Sequence, residues 1–224
     1  NFPTENRAAF IIPNVSTTFA NREKEKIRIA DTISSIIETT PGNVAVFFSS
    51  FASMEIVFSH ISFGKRPVLK QQTRMSEGDR QEVLSILRRG EGHVMVGVMG
   101  GIFSEGIDLP GKALLCAVMV GPALPMANLS RRVIQQWYEE KYGEGFRYGW
   151  VVPGMSRVAQ AAGRVIRSPE DKGTVVLIGK RFSQRIYREL FPLDWNIQYS
   201  KDVKYDLEKF LSYNEMMLPD PNEH

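Results

Sequence analysis

Val44-Ala45-Val46-Phe47-Phe48 is a run of five apolar residues with no polar position to turn toward water. A run of that length is what a strand covered on both faces requires. Further strand-like stretches fall at 93–99, 113–120 and 174–178, with a short one at 7–12 and a weaker one at 67–71. Helical periodicity lies between them. Residues 22–39 place Ile27, Ala30, Ile33 and Ile37 at helical spacing, and Pro41-Gly42-Asn43 stops that helix. Ser49 or Ser50 can cap a second helix that runs to about His60. Ser76 with Asp79 makes a variant capping box opening a helix over 81–89, and Gly90 suits its C-terminal cap. Strands alternating with helices predict an α/β fold, a parallel sheet flanked by helices.

Two parts stand outside the alternation. Residues 122–154 hold a helical stretch, 129–142, followed by an aromatic loop with Phe146, Tyr148 and Trp150, and are expected over the carboxyl edge of the sheet. The tail, 200–224, predicts one helix at 203–213 and then a frayed end. The main domain is thus expected over 1–199.

The 224 residues fit one large domain, or one with an insertion. A net charge of +3 and a pI near 9.0 permit a nucleic-acid partner without requiring one. The single cysteine, Cys116, sits in an apolar run and reads as a small core residue. It cannot hold an iron–sulfur cluster, which needs about four thiolates. His60, His93 and His224 lack metal-ligand spacing, so no metal site is expected. With no apolar run of about 18 residues and no signal-peptide pattern, a soluble, intracellular protein is expected.

The chemistry concentrates in Gln160-Ala161-Ala162-Gly163-Arg164-Val165-Ile166-Arg167. On a helix, Gln160, Arg164 and Arg167 share one face. Two guanidiniums there make a fork for an anion with several oxygens, such as a triphosphate. Gly163 removes a side chain where a partner would approach. The alternative is an amphipathic helix whose arginines face water. Upstream, Gly100-Gly101-Ile102-Phe103-Ser104-Glu105-Gly106-Ile107-Asp108-Leu109-Pro110-Gly111 follows a strand-like run, where ligand-binding loops of open α/β sheets lie.

In order and spacing the two segments resemble motifs V and VI of superfamily-two helicases, and their S-E-G-I-D and Q-A-A-G-R-V-I-R forms resemble the XPD/DinG branch. Phe2-Pro3-Thr4-Glu5-Asn6-Arg7, Val46-Phe47-Phe48-Ser49-Ser50-Phe51 and Gly179-Lys180-Arg181-Phe182 are similar to it as well, so the likeness spans nearly the whole chain. One departure is Gly179, where the branch often has Asp. The resemblance implies a RecA-like domain with a partly helical insertion between motifs V and VI. It implies that Arg164 and Arg167 act as arginine fingers, with Gln160 on the γ-phosphate or the water. The chain lacks a G-x-x-x-x-G-K-[ST] loop and an acidic D-E-x-H-like box, which belong to the first motor half of such proteins. It is therefore expected to be a second motor half, inactive alone. ATP and Mg2+ would lie at the interface with the first half, and the branch's iron–sulfur cluster only in that half.

Asp108 suits a ribose hydroxyl, a bound water or a motif VI arginine; alternatively it caps the turn before Pro110-Gly111. Gly106 permits close backbone approach. Glu105 either couples the loop to nucleic acid or is solvated. By resemblance Ser49, Ser50 and Ser104 track single-stranded DNA with their hydroxyls and backbone N–H groups, although helix capping serves Ser50 equally well. Lys65, Arg66, Lys70 and Arg74 read as a solvated basic cluster. Phe146, Tyr148 and Trp150 are suited to stack bases, but packing onto the sheet is the expectation. The implied whole is an ATP-dependent helicase moving 5′-to-3′ on single-stranded DNA, in repair, with repair-complex proteins as possible partners and no membrane. The rival is a non-catalytic docking or nucleic-acid-binding module of the same fold. A Rossmann enzyme is disfavoured by the missing G-x-G-x-x-G turn.

Overall fold

The computed structural model describes residues 6–104, 113–165 and 172–214. Seven strands form one all-parallel sheet: β1 (Arg7–Ile12), β2 (Val44–Phe48), β3 (Val68–Lys70), β4 (Val94–Val98), β5 (Cys116–Val120), β6 (Gly173–Ile178) and β7 (Ile197–Tyr199). Their spatial order is β3-β4-β2-β5-β6-β1-β7. Seven α-helices accompany them among the described residues: α1 (Arg22–Thr39), α2 (Phe51–Phe58), α3 (Glu77–Arg88), α4 (Leu129–Tyr142), α5 (Val152–Ala162), α6 (Arg185–Arg188) and α7 (Val203–Tyr213).

The apolar runs do what their composition requires. In β2, Val44, Val46 and Phe48 face one side and Ala45 and Phe47 the other, and all five are fully buried. Helices α1, α2 and α7 cover the first side through Ile33, Met54 and Leu207. Helices α3 and α5 cover the second through Leu87, Met155 and Val158, joined by Phe182 and Tyr187. Each large aliphatic so buried contributes about 1.5–3 kcal/mol. Cys116 lies in the sheet, fully buried, and burial pushes its thiol up to about 11.

Local details depart from the sequence reading in places. Helix α1 buries Ile29, Ala30, Ile33, Ile36 and Ile37, whereas Ile27 is half exposed. At 3.6 residues per turn Ile27 points roughly 120° away from Ile33. Ser76 forms the expected reciprocal box with Asp79, but the helix it opens begins at Glu77. Strand β7 was not anticipated. It is a three-residue edge strand on β1, without a buried stripe to betray it. The aromatic stretch after α4 is no loop. Residues Arg147–Val151 form a π turn that runs directly into α5. Pro153 explains the widened register: it has no N–H to donate and crowds the carbonyl of Gly149 four residues back.

The amino edge of the sheet is stitched by two side chains. Asn43, fully buried, donates through Nδ2 to Leu87 O at 2.7 Å and Ala113 O at 2.8 Å, and accepts from His93 N at 2.7 Å. Arg66 donates to Gly92 O at 2.6 Å, Ile37 O at 2.5 Å, Thr40 O at 2.9 Å and Gly42 O. It is a structural clip rather than part of a solvated cluster. Lys70 is likewise engaged, with Glu55 at 2.7 Å and the Phe58 ring at 4.1 Å.

Candidate functional site

Because every strand is parallel, the loops after β1, β2, β4, β5 and β6 emerge on one edge. After β2 come Ser49 and Ser50, both partly exposed. Ser50 caps α2, its Oγ accepting from Ser53 N at 3.2 Å. After β4 the chain turns through Gly100 and Gly101 to Ser104. Ser104 is fully buried and its Oγ donates to Gly101 O at 3.0 Å. In this conformation the Ser104 hydroxyl faces inward and is already bonded. Glu105, Gly106, Asp108 and Arg167 lie outside the described residues, as do residues 2–5 and the tail beyond Asn214.

After β6, Gly179 adopts φ 141° and ψ 136°, a backbone that side-chain-bearing residues rarely take. A Cβ there would lie 3.0 Å from Thr17 Oγ1 and 3.7 Å from Gly121 Cα. An Asp at this position would be strained in this conformation. Lys180 follows, exposed, its N–H donating to Val15 O at 2.8 Å.

Helix α5 runs antiparallel to the strands and joins the two edges. At its start Gly154 packs on Ala123 and Leu124, just past β5. One turn on, Arg157 lies against Gly100 and donates to Ala123 O over a long 3.4 Å. Arg157 was missed; its three-residue spacing before Gln160 was the available signal. At the far end Gly163, the C-terminal cap, shares the wall of a cavity of about 210 Å³ with Arg7, Ala8, Asp194 and Trp195. Arg7 and Asp194 form an ion pair at 2.7 Å there. Gln160 is exposed, and Arg164 Nε donates to Gln160 O at 3.1 Å. The Arg164 guanidinium is thus tied to the main-chain carbonyl of Gln160 rather than to its side-chain amide. The α-helix, however, ends at Ala162, so Arg164 stands just beyond it rather than on its face. Ser49 and Ser50 sit at the opposite edge, roughly 15–20 Å away for strands of five or six residues.

The insertion is built on close approach. Helix α4, capped by Asn128 and by left-handed Gly143, has no buried residue. It lies on the π turn through Gln135, which accepts from Trp150 Nε1 at 2.9 Å. A Cβ on Gly145 would strike Gln135 O, and one on Gly149 would come 3.1 Å from Gln135 Cβ. Tyr148 stacks on Tyr138 at 4.8 Å. Tyr148 and Trp150 therefore pack on α4 rather than on the sheet. Among the described residues no group of three or more His, Cys, Asp or Glu is placed to hold a metal, and no helix is long and apolar enough to cross a membrane.

Residues 33–198 match the helicase C-terminal domain family. The chain belongs to that family. It is 28% identical to the ATP-dependent DNA helicase CHL1 of Eremothecium gossypii over 241 residues, covering 94% of this chain and 30% of that protein. Against the ATP-dependent DNA helicase XPD of Sulfolobus acidocaldarius it is 29% identical over 167 residues, covering 72% and 29%. The chain spans about a third of the length of these curated relatives. An apo XPD structure superposes with a TM-score of 0.70 at 26% identity, over 87% of this chain and 40% of that one. The C-terminal domain of the DEAD-box protein Dbp5 shares the fold alone, with a TM-score of 0.55 at 12% identity, over 93% and 98%. This helicase C-terminal domain is a second RecA-like domain of the XPD/DinG type.

Proposed function

We propose that this domain is the second motor half of an ATP-dependent DNA helicase that moves 5′-to-3′ along single-stranded DNA and serves repair. The observation that carries the reading is helix α5. It holds Gln160, Gly163 and Arg164 together at one end and reaches the loops of the carboxyl edge at the other. Gln160 and Arg164 supply N–H donors and Gly163 adds no bulk, which fits the polyphosphate of a nucleotide held across a cleft by a first motor half. ATP with Mg2+ would supply the cleavable anhydride. Arg164 and Arg167 would stabilise charge on the transferring oxygens, and Gln160 would orient the γ-phosphate or the water. Asp108 and Gly106 would complete the nucleotide side. Ser49, Ser50 and the Glu105 loop belong to the DNA side.

DNA-stimulated ATP hydrolysis by the full-length protein, wild type beside Arg164→Ala and Arg167→Ala, tests the reading. Both variants should fold, bind single-stranded DNA nearly as wild type and lose turnover steeply. Wild-type turnover in both folded variants would leave the rival, a RecA-like docking module, in possession.

A further inference from the structure

Helix α4 carries an aromatic surface that nothing in the described chain covers. Trp137 is 49% exposed, Tyr142 56% and Tyr148 41%. Trp137 meets Tyr138 edge-on at 4.9 Å and Tyr142 at 5.9 Å, while the Tyr138 and Tyr148 rings stack with 22° between their planes. With Glu144 these rings line an open depression of about 430 Å³. The Lys141 ammonium lies 4.8 Å from the Trp137 ring and 5.5 Å from that of Tyr142. The neighbouring carboxylates are engaged: Glu139 accepts from Gly145 N at 2.7 Å, and Glu144 lies 3.3 Å from the Arg147 guanidinium.

Rings of this kind are ordinarily core material. Here they are held rigid by one another and by the glycine-lined contact with the π turn, and they present faces to solvent. A stacked pair with one open end is extended by a further flat π system, and an ammonium beside it suits a phosphate. The chain entering α4 and the helix leaving the π turn both touch the carboxyl edge, where Ser49 and Ser50 lie. We infer that Trp137, Tyr138, Tyr142 and Tyr148, with Lys141, form a stacking platform for the unpaired bases of a single-stranded nucleic acid leaving that edge. The platform presupposes the single-strand reading above.

The experiment is fluorescence anisotropy at low salt. The full chain is titrated against labelled oligothymidine and against an abasic strand of equal length, so that bases and phosphates are weighed separately. Wild type should prefer oligothymidine. The Trp137→Ala/Tyr142→Ala double variant alters only exposed side chains, so its thermal melt should match wild type. It should bind oligothymidine about 5- to 150-fold more weakly, the range expected for one lost stacked base. Its affinity for the abasic strand should be unchanged, and Trp137→Phe should keep the preference. Equal binding of both strands by wild type overturns the platform. So does a preference that survives in the double variant. If Ser49→Asp/Ser50→Asp abolishes binding while the double variant leaves it intact, the single-strand reading stands and the platform alone falls. If wild type binds neither strand, both fall. Wild-type self-association in sedimentation that the double variant abolishes, without any base preference, marks the surface as a protein contact and overturns the inference.

Discussion

The α-carbon of Gly179 faces the Thr17 hydroxyl so closely that a Cβ on it would lie 3.0 Å from Thr17 Oγ1. With φ at 141° the backbone is one that side-chain-bearing residues rarely adopt, and Thr17 would have to give by a few tenths of an ångström. Introducing the aspartate often found at this position in the XPD/DinG branch, Gly179→Asp, should therefore destabilise the domain by about 1–3 kcal/mol. Urea unfolding midpoints decide it. A midpoint equal to wild type would mean that the β6 turn relaxes without cost.

Arg66 joins carbonyls from the end of α1, the turn before β2 and the turn before β4. Burial pulls its pKa below the usual arginine value, yet it stays a cation at any working pH. Arg66→Ala strands those acceptors and should cost about 2–4 kcal/mol. Arg66→Lys should recover little, since an ammonium cannot reach acceptors arrayed around a planar fork. Thermal melting of the three proteins is the measurement. Full rescue by lysine would show that charge rather than geometry matters there.

Cys116 should resist thiol reagents in the folded domain. Its thiol is raised to about 11 from 9.0, first by burial. A raised acid favours the neutral form on folding. Its contribution to stability is therefore complete below about pH 9 and is lost as pH climbs toward 11. Maleimide labelling at pH 8 should wait for unfolding. The fall in stability between pH 9 and 11 should be smaller in Cys116→Ala, once its own cavity cost is subtracted at pH 7. Rapid labelling of folded protein at pH 8 would contradict the burial.

Arg164 should tolerate lysine poorly in the full-length protein. Under the proposed finger role the loss in Arg164→Ala has an upper range of about 10³–10⁵ in rate, what arginine fingers supply in well-studied nucleotide hydrolases. The loss should fall on turnover rather than on DNA affinity, because a finger as proposed acts in the transition state. ATP hydrolysis at saturating DNA reads it. A change confined to the Michaelis constant for ATP would mark Arg164 as a ground-state contact.

Much of this was legible before any coordinates. Val44–Phe48 declares a strand covered on both faces because nothing in it can face water. Ser76 and Asp79 announce a helix start because the capping bonds are local in sequence. Arg66 was misread for the opposite reason: its acceptors are backbone carbonyls, which every residue carries and no sequence distinguishes. The π turn read as a loop because glycine and proline usually punctuate chains. Here Gly145 and Gly149 serve packing, and Pro153 shifts the hydrogen-bond register without ending the helix. At the site, spacing put Gln160 and Arg164 on one helical face but could not reveal that the α-helix stops at Ala162 between them. Ser104 looked available because a strand-end hydroxyl usually is, and only the turn's folding buries it.

Helix α5 is a single rod whose two ends answer to different edges of the sheet. One residue added between Arg157 and Gln160 would rotate the end of the helix by about 100° relative to Arg157 and advance it about 1.5 Å. The amide and the guanidinium beyond it would then aim elsewhere while every strand stayed intact. What the fold holds fixed here is a phase: this rod tolerates no change of length between Arg157 and Gln160.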